Sequence, residues 1–324
     1  MVTIKDIAKA AGVSHVTVSN ALNNGKGVSE KTKQKILAIA AQMNYKPNLA
    51  AKRLVDRKTR HVGLIWPSIK GQFFYHLSME LHAEGLKRDF NVIISMNEPA
   101  AALSVFNQVF ADNVIFWCHS TWEPTSEFLT EKEAFQGKLL LIGGKKMDGA
   151  LTISINRRKG IYEAVSFLAG QGHTRIAYAG GYNDKLEGFM QAGDERGLDF
   201  RREYLVHPND EHFEAKMRSM LEHEQKPTAL VADSHAVYLK VDHVLRKNGV
   251  RVPDDLSIIV YDDIPELEAL PVPMTTVGPS ASEIAAKAFD MLTGIVKPAD
   301  ESDSFDLMIE TVLTVRQSVK PAAP

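Results

Sequence analysis

Two short amphipathic segments separated by a single glycine open the chain. Thr3 stands where the first segment begins and Asp6 follows three positions later, which is the spacing of a capping box at a helix N-terminus. Gly12 is placed to end this helix, and Ser14 is placed to cap the next one. The sequence therefore predicts two helices joined by a tight turn.

A third helical pattern completes a small unit. Ser29 is its expected N-cap residue, and Pro47 prevents continuation beyond Tyr45. Apolar residues at helical spacing would meet in one core: Ile4, Ile7, Ala8, Ala11, Val18, Ala21, Leu22, Ile36, Ile39, Ala40 and Met43. We expect an all-α helix-turn-helix head over residues 1–46.

The second helix leaves an outer face that its partners do not cover. In a helix-turn-helix this face enters the major groove of DNA, so His15, Val16 and Asn20 are expected at base edges. Other side chains of the head are expected to contact the DNA around them, largely at phosphates: Thr3, Ser14, Thr17, Ser19, Asn23 and Ser29.

The distribution of charge supports a nucleic-acid partner. Residues 1–60 contain twelve Lys and Arg against three Asp and Glu, a formal charge of +9. The whole chain of 324 residues carries −2, so the remainder carries −11. Basic residues alone would also fit a solvated helix surface. Together with capped helices at this spacing, they indicate DNA binding.

The rest of the chain alternates β-rich runs with longer amphipathic stretches. The runs are residues 61–66, 91–95, 113–117, 139–142, 175–178, 229–232 and 257–261. This order predicts parallel sheets with helices on both faces. Cys118 is the only cysteine, and no apolar run reaches the roughly 20 residues of a membrane span. The N-terminus also lacks a signal-peptide pattern, so a cytoplasmic location is expected.

The ordered motifs resemble the lactose-repressor (LacI/GalR) family of bacterial transcription regulators. Beyond the head, matching segments follow in the family's order at residues 48–54, 61–65, 170–177, 252–257, 261–265, 275–277 and 315–318. The resemblance implies a hinge helix and linker over 47–60, then an effector-binding and dimerisation domain over 61–324. That domain would resemble periplasmic binding proteins, with two Rossmann-like subdomains. By resemblance, the N-subdomain is about 61–158 and 289–318, and the C-subdomain is about 159–288 plus the C-terminal end.

The hinge segment resembles the family's minor-groove element. Asn48 can cap a helix too short to be stable alone, so it is expected to order only on DNA and in a dimer. Leu54 matches the leucine that wedges into the minor groove, and Ala51 would keep the paired helices close. Lys52 is a further expected DNA contact.

Three aromatic residues are candidates for one side of an effector site. Phe73 and Phe74 match an aromatic pair of the family; Phe74 fits an ordinary core phenylalanine equally well, so Phe73 is the better candidate. Trp117 ends the third β-rich run, where its ring face would stack on a sugar.

Charged and polar candidates follow strands farther along the chain. Lys185 stands where the family has an arginine that grips the ligand, and Asp262 matches its effector-binding aspartate. Ser234 and His235 replace an Asn-Asp pair; His235 also fits a surface or capping histidine.

This substitution removes a negative charge from the expected site. Lys145 and Lys146 would add positive charge at the rim, or would simply be solvated. We therefore expect a sugar or sugar derivative, with a modest preference for an anionic form over an almost equally favoured neutral one.

Other chemistries lack their signatures. His207, His212 and His223 do not show metal-ligand spacing, and Gly180-Gly181 lacks the further glycines of a dinucleotide loop. We find no catalytic constellation, metal site or cofactor motif. The expectation is a homodimeric repressor of carbohydrate genes that binds a pseudo-palindromic operator and a small effector. The alternatives are a sugar-binding protein and a sugar-processing enzyme.

Overall fold

A computed structural model describes residues 2–22, 27–45, 59–66, 71–109, 111–119, 121–144, 146–199, 201–295 and 306–322. The chain divides into one unit spanning Met1–Thr59 and a second spanning Arg60–Pro324. The division falls within one residue of the boundary expected between the linker and the body. Within the described segments, the helices are all too short or too polar to cross a bilayer.

The described part of the first unit forms the helices α1 (Ile4–Ala11), α2 (His15–Leu22) and α3 (Glu30–Gln42). Thr3 and Asp6 make a reciprocal capping box on α1, and Gly12 ends that helix at φ 68°. Two serine hydroxyls cap the other helices. Ser14 Oγ accepts from the Thr17 N–H at 3.1 Å, and Ser29 Oγ accepts from the Thr32 N–H at 3.3 Å.

One apolar core holds these helices together. Its fully buried members are Ile7, Ala8, Ala11, Val18, Ala21, Ile36 and Ala40. The remaining predicted core residues, Ile4, Leu22, Ile39 and Met43, pack around it with partial burial. The helical periodicity of the sequence thus identifies both the helices and the face that each one buries.

The second unit contains two six-stranded sheets in the part that the structure describes. Its strands are β1 (His61–Ile65), β2 (Asn91–Ser95), β3 (Asn113–Trp117), β4 (Lys138–Ile142), β5 (Leu151–Ile155), β6 (Ile176–Ala179), β7 (Leu205–Val206), β8 (Ala229–Ala232), β9 (Ser257–Tyr261), β10 (Thr275–Gly278), β11 (Asp306–Ile309) and β12 (Val312–Thr314). The first sheet has the order β11-β5-β4-β3-β1-β2 and the second β12-β10-β9-β8-β6-β7. All described pairings are parallel except that of β12 with β10.

Helices connect successive strands of these sheets. They are α4 (Gln72–Lys87), α5 (Pro99–Gln108), α6 (Ser126–Ala134), α7 (Arg157–Gly170), α8 (Asp184–Arg196), α9 (Phe213–Glu222), α10 (His235–Lys247), α11 (Pro265–Glu268) and α12 (Ala281–Thr293), with a short 3-10 helix at Arg202–Tyr204. The sequence expectation of an α/β body with two parallel sheets is confirmed.

The chain passes between the two sheets three times. It leaves the first sheet after β5, returns with α12, which packs on α4, and adds β11 to the first sheet before β12 joins the second. The described residues that return to the first subdomain are therefore 281–295 and 306–309, whereas the expectation from the sequence was about 289–318. The expected end of this segment was too late, because β11 and β12 are short and separated by only two residues.

Two family-like motifs have structural roles in the second sheet. His173 lies buried between the Thr228 hydroxyl (2.8 Å from Nδ1) and the Lys320 carbonyl (3.0 Å from Nε2), so it ties the C-terminal segment to the sheet. Ser318 Oγ donates to the Ile258 carbonyl at 2.6 Å and accepts from the Thr275 N–H at 2.7 Å. These contacts fix the last segment across β9 and β10.

Candidate functional sites

The first unit presents the N-terminal half of α2 to solvent. His15 is exposed, and Val16 keeps 55% of its accessible surface, although valine is usually buried. Thr17, Ser19 and Asn20 are half-buried beside them. An exposed apolar side chain among polar ones suits contact with base edges, where thymine offers a methyl group.

The hydroxyls predicted at phosphates are engaged in caps. Thr3 Oγ1 donates to Asp6 Oδ2 at 2.7 Å, and the Ser14 and Thr17 hydroxyls lie 2.9 Å apart. These groups order the helix N-termini, whose backbone N–H groups favour anions. Five predicted DNA contacts lie outside the described residues: Asn23, Asn48, Ala51, Lys52 and Leu54.

The second unit holds a cavity of about 140 Å³ between its two sheets. It is lined by Gly71, Phe73, Phe74, Trp117, Cys118, His119, Ile155, Arg157, Asn183, Asp184, Lys185, Ser234, Ala236, Tyr261, Asp262 and Pro279. These residues belong to the carboxyl ends of β3, β5 and β9 and to the starts of helices that follow strands. Ligands of open α/β sheets bind at such strand ends.

Aromatic rings form the wall on the side of the first sheet. The Phe74 ring packs edge-on against Trp117, with centroids 4.9 Å apart, and against Trp66 at 5.4 Å. Phe73 lies behind them, almost fully buried, with its centroid 5.9 Å from Trp117. All three predicted aromatic residues therefore meet at the cavity, and half-buried Phe74 is more accessible there than Phe73.

Lys185 lies on the opposite side and is already engaged by the protein. Its Nζ donates to the Asp233 backbone carbonyl at 2.6 Å and lies 3.7 Å from the centroid of the Tyr261 ring. Burial lowers the pKa of Lys185, against the raising effect of Asp233 and Asp262. The ammonium therefore has few donors left for a ligand.

Asp262 follows β9 and adopts φ 85° in the left-handed region. Its Oδ2 accepts from the His235 backbone N–H, 3.3 Å away, at the start of α10. Burial raises the pKa of Asp262 to about 6, against the lowering effect of Lys185 and this hydrogen bond. The cavity thus contains a carboxyl group that is easily protonated.

The Ser234-His235 pair differs from what the sequence suggested. Ser234 caps α10, accepting from the Val237 N–H at 3.3 Å. The His235 side chain is buried, so it is not a surface histidine. It is also not among the residues that line the cavity and could contact a ligand there. Burial lowers the pKa of His235, while Glu266 acts to raise it.

Sequence reasoning missed Asp233. Its Oδ2 accepts from the Gly181 N–H at 2.8 Å, and a Cβ at Gly180 would lie only 2.6 Å from Asp233 Cβ. The two glycines singled out in the sequence therefore allow β6 to end close against this carboxylate. The family's aspartate is replaced by His235 in this chain, but Asp233, two residues earlier, supplies a negative charge. Comparison with the family motif position by position does not reveal this shift.

Arg157 and Asp184 were also missed. Arg157 is the first residue of α7, and its Nη1 donates to the Gly143 carbonyl at 3.1 Å. Asp184 is the first residue of α8, with Oδ2 3.7 Å from Arg157 Nη1. Both residues line the cavity, yet neither belongs to a motif that the sequence identifies.

The described lining of the cavity does not show the excess of positive charge that the sequence suggested. Lys146 is exposed and pairs with Asp306 at 3.0 Å, away from the cavity lining, while Lys145 lies outside the described residues. Among the lining side chains, Arg157 and Lys185 are balanced by Asp184 and Asp262. Over the described parts of the chain, no cluster of three or more His, Cys, Asp or Glu is arranged to bind a metal.

Two sequence profiles match this chain. Residues 3–48 match the profile of bacterial regulatory proteins of the lacI family, and residues 165–319 match a periplasmic binding protein-like domain. The HTH-type transcriptional repressor PurR of Vibrio parahaemolyticus is 28% identical over 337 residues, covering 99% of each chain.

Solved structures share the fold. A lac repressor dimer bound to operator and the anti-inducer ONPF superimposes with a TM-score of 0.81 at 20% identity, covering 98% of this chain and 99% of the other. A LacI family regulator from Enterococcus faecium with bound ribose has a TM-score of 0.69 at 19% identity, covering 81% and 100%.

Proposed function

This chain belongs to the lacI family of bacterial regulatory proteins, and we propose that it represses genes of carbohydrate use under the control of a sugar bound in its cavity. The chain is a transcriptional regulator and not an enzyme, like its relatives. Because its partner is DNA, the proposal includes a cytoplasmic location. The class of effector, the pseudo-palindromic operator and the roles of the site residues are part of what we propose.

The observation that carries the sugar assignment is the composition of the cavity. Phe74 and Trp117 offer apolar ring surface on one side, while Arg157, Asp184 and Asp262 offer hydrogen-bonding groups on the other. A sugar has the same two properties, since its C–H faces stack on aromatic rings and its hydroxyls both donate and accept. The E. faecium regulator with bound ribose is consistent with this class.

Control of DNA binding follows from linkage. Residues from both sheets line the cavity, so a ligand that contacts them favours one arrangement of the two subdomains. We expect residues 47–60 to carry this difference to the DNA-binding head, where Leu54 is predicted to wedge into the minor groove. These residues are largely outside the described part of the chain.

Assembly as a homodimer completes the proposal. The lac repressor of similar fold is a dimer on its operator. In this chain, α4 exposes Tyr75, Met79 and Leu86, and the neighbouring edge strand β2 exposes Ile93 and Ile94. Several large exposed apolar side chains on a helix and an edge strand are typical of an interface. Two heads related by a two-fold axis would bind a pseudo-palindromic operator.

The test combines operator selection with ligand screening. Operators are first selected from random DNA by the full chain. Fluorescence anisotropy then measures whether the affinity for the selected operator falls or rises when a ligand is added. The ligands are D-glucose, D-ribose, cellobiose, D-glucuronate and glucose 6-phosphate. We expect at least one neutral sugar to change operator affinity and to raise the melting temperature. A panel without effect on either quantity contradicts the sugar assignment.

A matched pair of variants locates the site. Trp117→Leu removes the aromatic wall, whereas Trp122→Leu removes a tryptophan that packs on Phe116 and Phe128 and does not line the cavity. We expect only Trp117→Leu to abolish the response to the sugar. Equal responses in the two variants would place the ligand elsewhere.

A further inference from the structure

Arg157 is held at the cavity by a narrow set of contacts. Its side chain is only 15% exposed, and the Gly143 carbonyl accepts one hydrogen bond from Nη1. A guanidinium carries five N–H donors in a fixed plane. The hydrogen bond to Gly143 uses one of these five donors, so Arg157 has further N–H groups that can donate to a ligand in the cavity it lines.

Asp184 stands at a distance that suits a bridging hydroxyl. The 3.7 Å between Arg157 Nη1 and Asp184 Oδ2 exceeds a normal hydrogen bond. A ligand hydroxyl placed beside both groups would accept from the guanidinium and donate to the carboxylate. Arginine can also donate two parallel hydrogen bonds, which suits two neighbouring oxygen atoms.

Two glycines create this arrangement. Gly143 adopts φ 81°, which favours glycine, and a Cβ there would lie 2.6 Å from Arg157 Nη2, so a side chain at this position would displace the guanidinium. At Gly188, a Cβ would overlap the carbonyl of Arg158. The start of α7 and the first turns of α8 therefore approach closely, which places Arg157 beside Asp184.

Lys185 is less suited to the same task. Its ammonium is directed to the Asp233 carbonyl and the Tyr261 ring, both of which belong to the protein. Breaking these contacts to reach a ligand would leave a buried carbonyl without its donor. Recognition of the ligand's oxygen atoms therefore falls to Asp184, which precedes Lys185 on α8, and to Arg157 on the neighbouring α7.

We propose that Arg157 and Asp184 form the specificity-determining pair of the cavity, and that they recognise adjacent hydroxyls of a neutral polyhydroxylated ligand. The carboxylates of Asp184 and Asp262 line the cavity together with the two cations, and the Asp233 carboxylate accepts from the Gly181 N–H nearby, so an additional anionic group is disfavoured. This inference rests on the proposed function, because it concerns the same cavity and a carbohydrate ligand.

The adjacent arginine provides a matched control. Arg158 has a half-exposed side chain, donates from Nε to Gln191 Oε1 at 3.1 Å and does not line the cavity. Arg157→Gln and Arg158→Gln therefore remove the same charge one position apart. Affinities of the full-length variants for D-glucose, D-ribose and cellobiose are measured by calorimetry, with the monodeoxy analogues of whichever sugar binds.

We expect Arg157→Gln to weaken sugar binding about 10- to 100-fold, as for hydrogen bonds to a charged group, and Arg158→Gln to leave binding unchanged. At least one monodeoxy analogue should bind the wild type more weakly than the parent sugar does, and Arg157→Gln should reduce that difference. Arg157→Lys keeps the charge near Asp184 without the two parallel donors, so it should also lose about 10-fold. Operator binding without sugar and the melting curve establish that each variant is folded.

The outcomes separate this inference from the proposed function. If Arg157→Gln and Arg157→Lys both bind a sugar as tightly as the wild type does, the cavity is a sugar site but the specificity pair is wrong. Tighter binding of D-glucuronate than of D-glucose by the wild type would likewise overturn the neutral ligand. If no carbohydrate of the panel binds the wild type, the proposed function fails and this inference fails with it.

Discussion

Gly188 faces the backbone carbonyl of Arg158 so closely that a β-carbon at position 188 would overlap the carbonyl oxygen. Gly188 lies in α8 and Arg158 in α7, so the contact fixes the approach of these two helices. Because backbone atoms cannot move out of the way as a flexible side chain can, this position tolerates no side chain. Helix packing therefore explains the glycine at position 188, three residues after Lys185.

Gly188→Ala should reduce the free energy of unfolding by about 1 to 3 kcal/mol, the usual effect of overpacking. Gly170→Ala is the control, because Gly170 lies at the end of α7 and a Cβ at this position would meet no other atom within 4 Å. That variant should be neutral or more stable by about 0.5 to 1 kcal/mol, since alanine favours helix. Urea denaturation measures the free energy of unfolding of both variants, and equal values would contradict the packing argument.

Asp262 should make stability fall as the pH rises from about 4 to about 6. Burial raises its pKa to about 6 in the native state, while an unfolded aspartate titrates near 3.8. Between these values the native state binds more protons than the unfolded state, so the free energy of unfolding decreases with pH.

Asp262→Asn removes this titration and keeps a residue that tolerates the observed φ of 85°. The stability of the wild type relative to this variant should therefore fall by about 1 to 3 kcal/mol between pH 4 and pH 7. Urea unfolding at intervals of half a pH unit measures the difference. A difference that stays constant over this range would show that Asp262 titrates as in solution.

Local patterns in the sequence predict the elements of this fold well. The apolar spacing around Ile7 and Val18 identifies the head, and each of the seven predicted β-rich runs coincides with a strand to within one residue. These predictions succeed because helix and strand periodicities depend on neighbouring residues. Five described strands are not among these runs, namely β5, β7, β10, β11 and β12, since short runs beside a helix or a polar segment give little periodic signal.

The cavity was predicted only in part. Six of the predicted effector-site residues line it, because they follow strands at positions that the family resemblance marks: Phe73, Phe74, Trp117, Lys185, Ser234 and Asp262. Arg157 and Asp184 begin two different helices, and they meet only because Gly143 and Gly188 permit close approach. Such convergence depends on tertiary packing, which no local pattern contains.

The apolar surface of α4 and β2 should form the dimer interface. Ile94 on edge strand β2 is 48% exposed, and Met308 on β11, at the opposite edge of the same sheet, is 51% exposed. Ile94→Glu would bury a charge in the interface and should produce monomers, whereas Met308→Glu should remain dimeric. Sedimentation equilibrium at micromolar concentration distinguishes them. A dimeric Ile94→Glu variant would place the interface on another surface.

Asn20 should determine the base preferred at one position of each half-site. It lies on α2 with exposed His15 and Val16, the surface that we expect in the major groove. An asparagine amide pairs with N6 and N7 of adenine, whereas an arginine pairs with O6 and N7 of guanine, and each such pair discriminates by about 1 to 3 kcal/mol. Asn20→Arg should therefore change the selected base from adenine to guanine and leave the other positions unchanged. Selection from random DNA by both proteins measures this, with Lys31→Arg as a control because Lys31 is an exposed cation of α3. If wild type and Asn20→Arg select the same operators, α2 does not read bases through this residue.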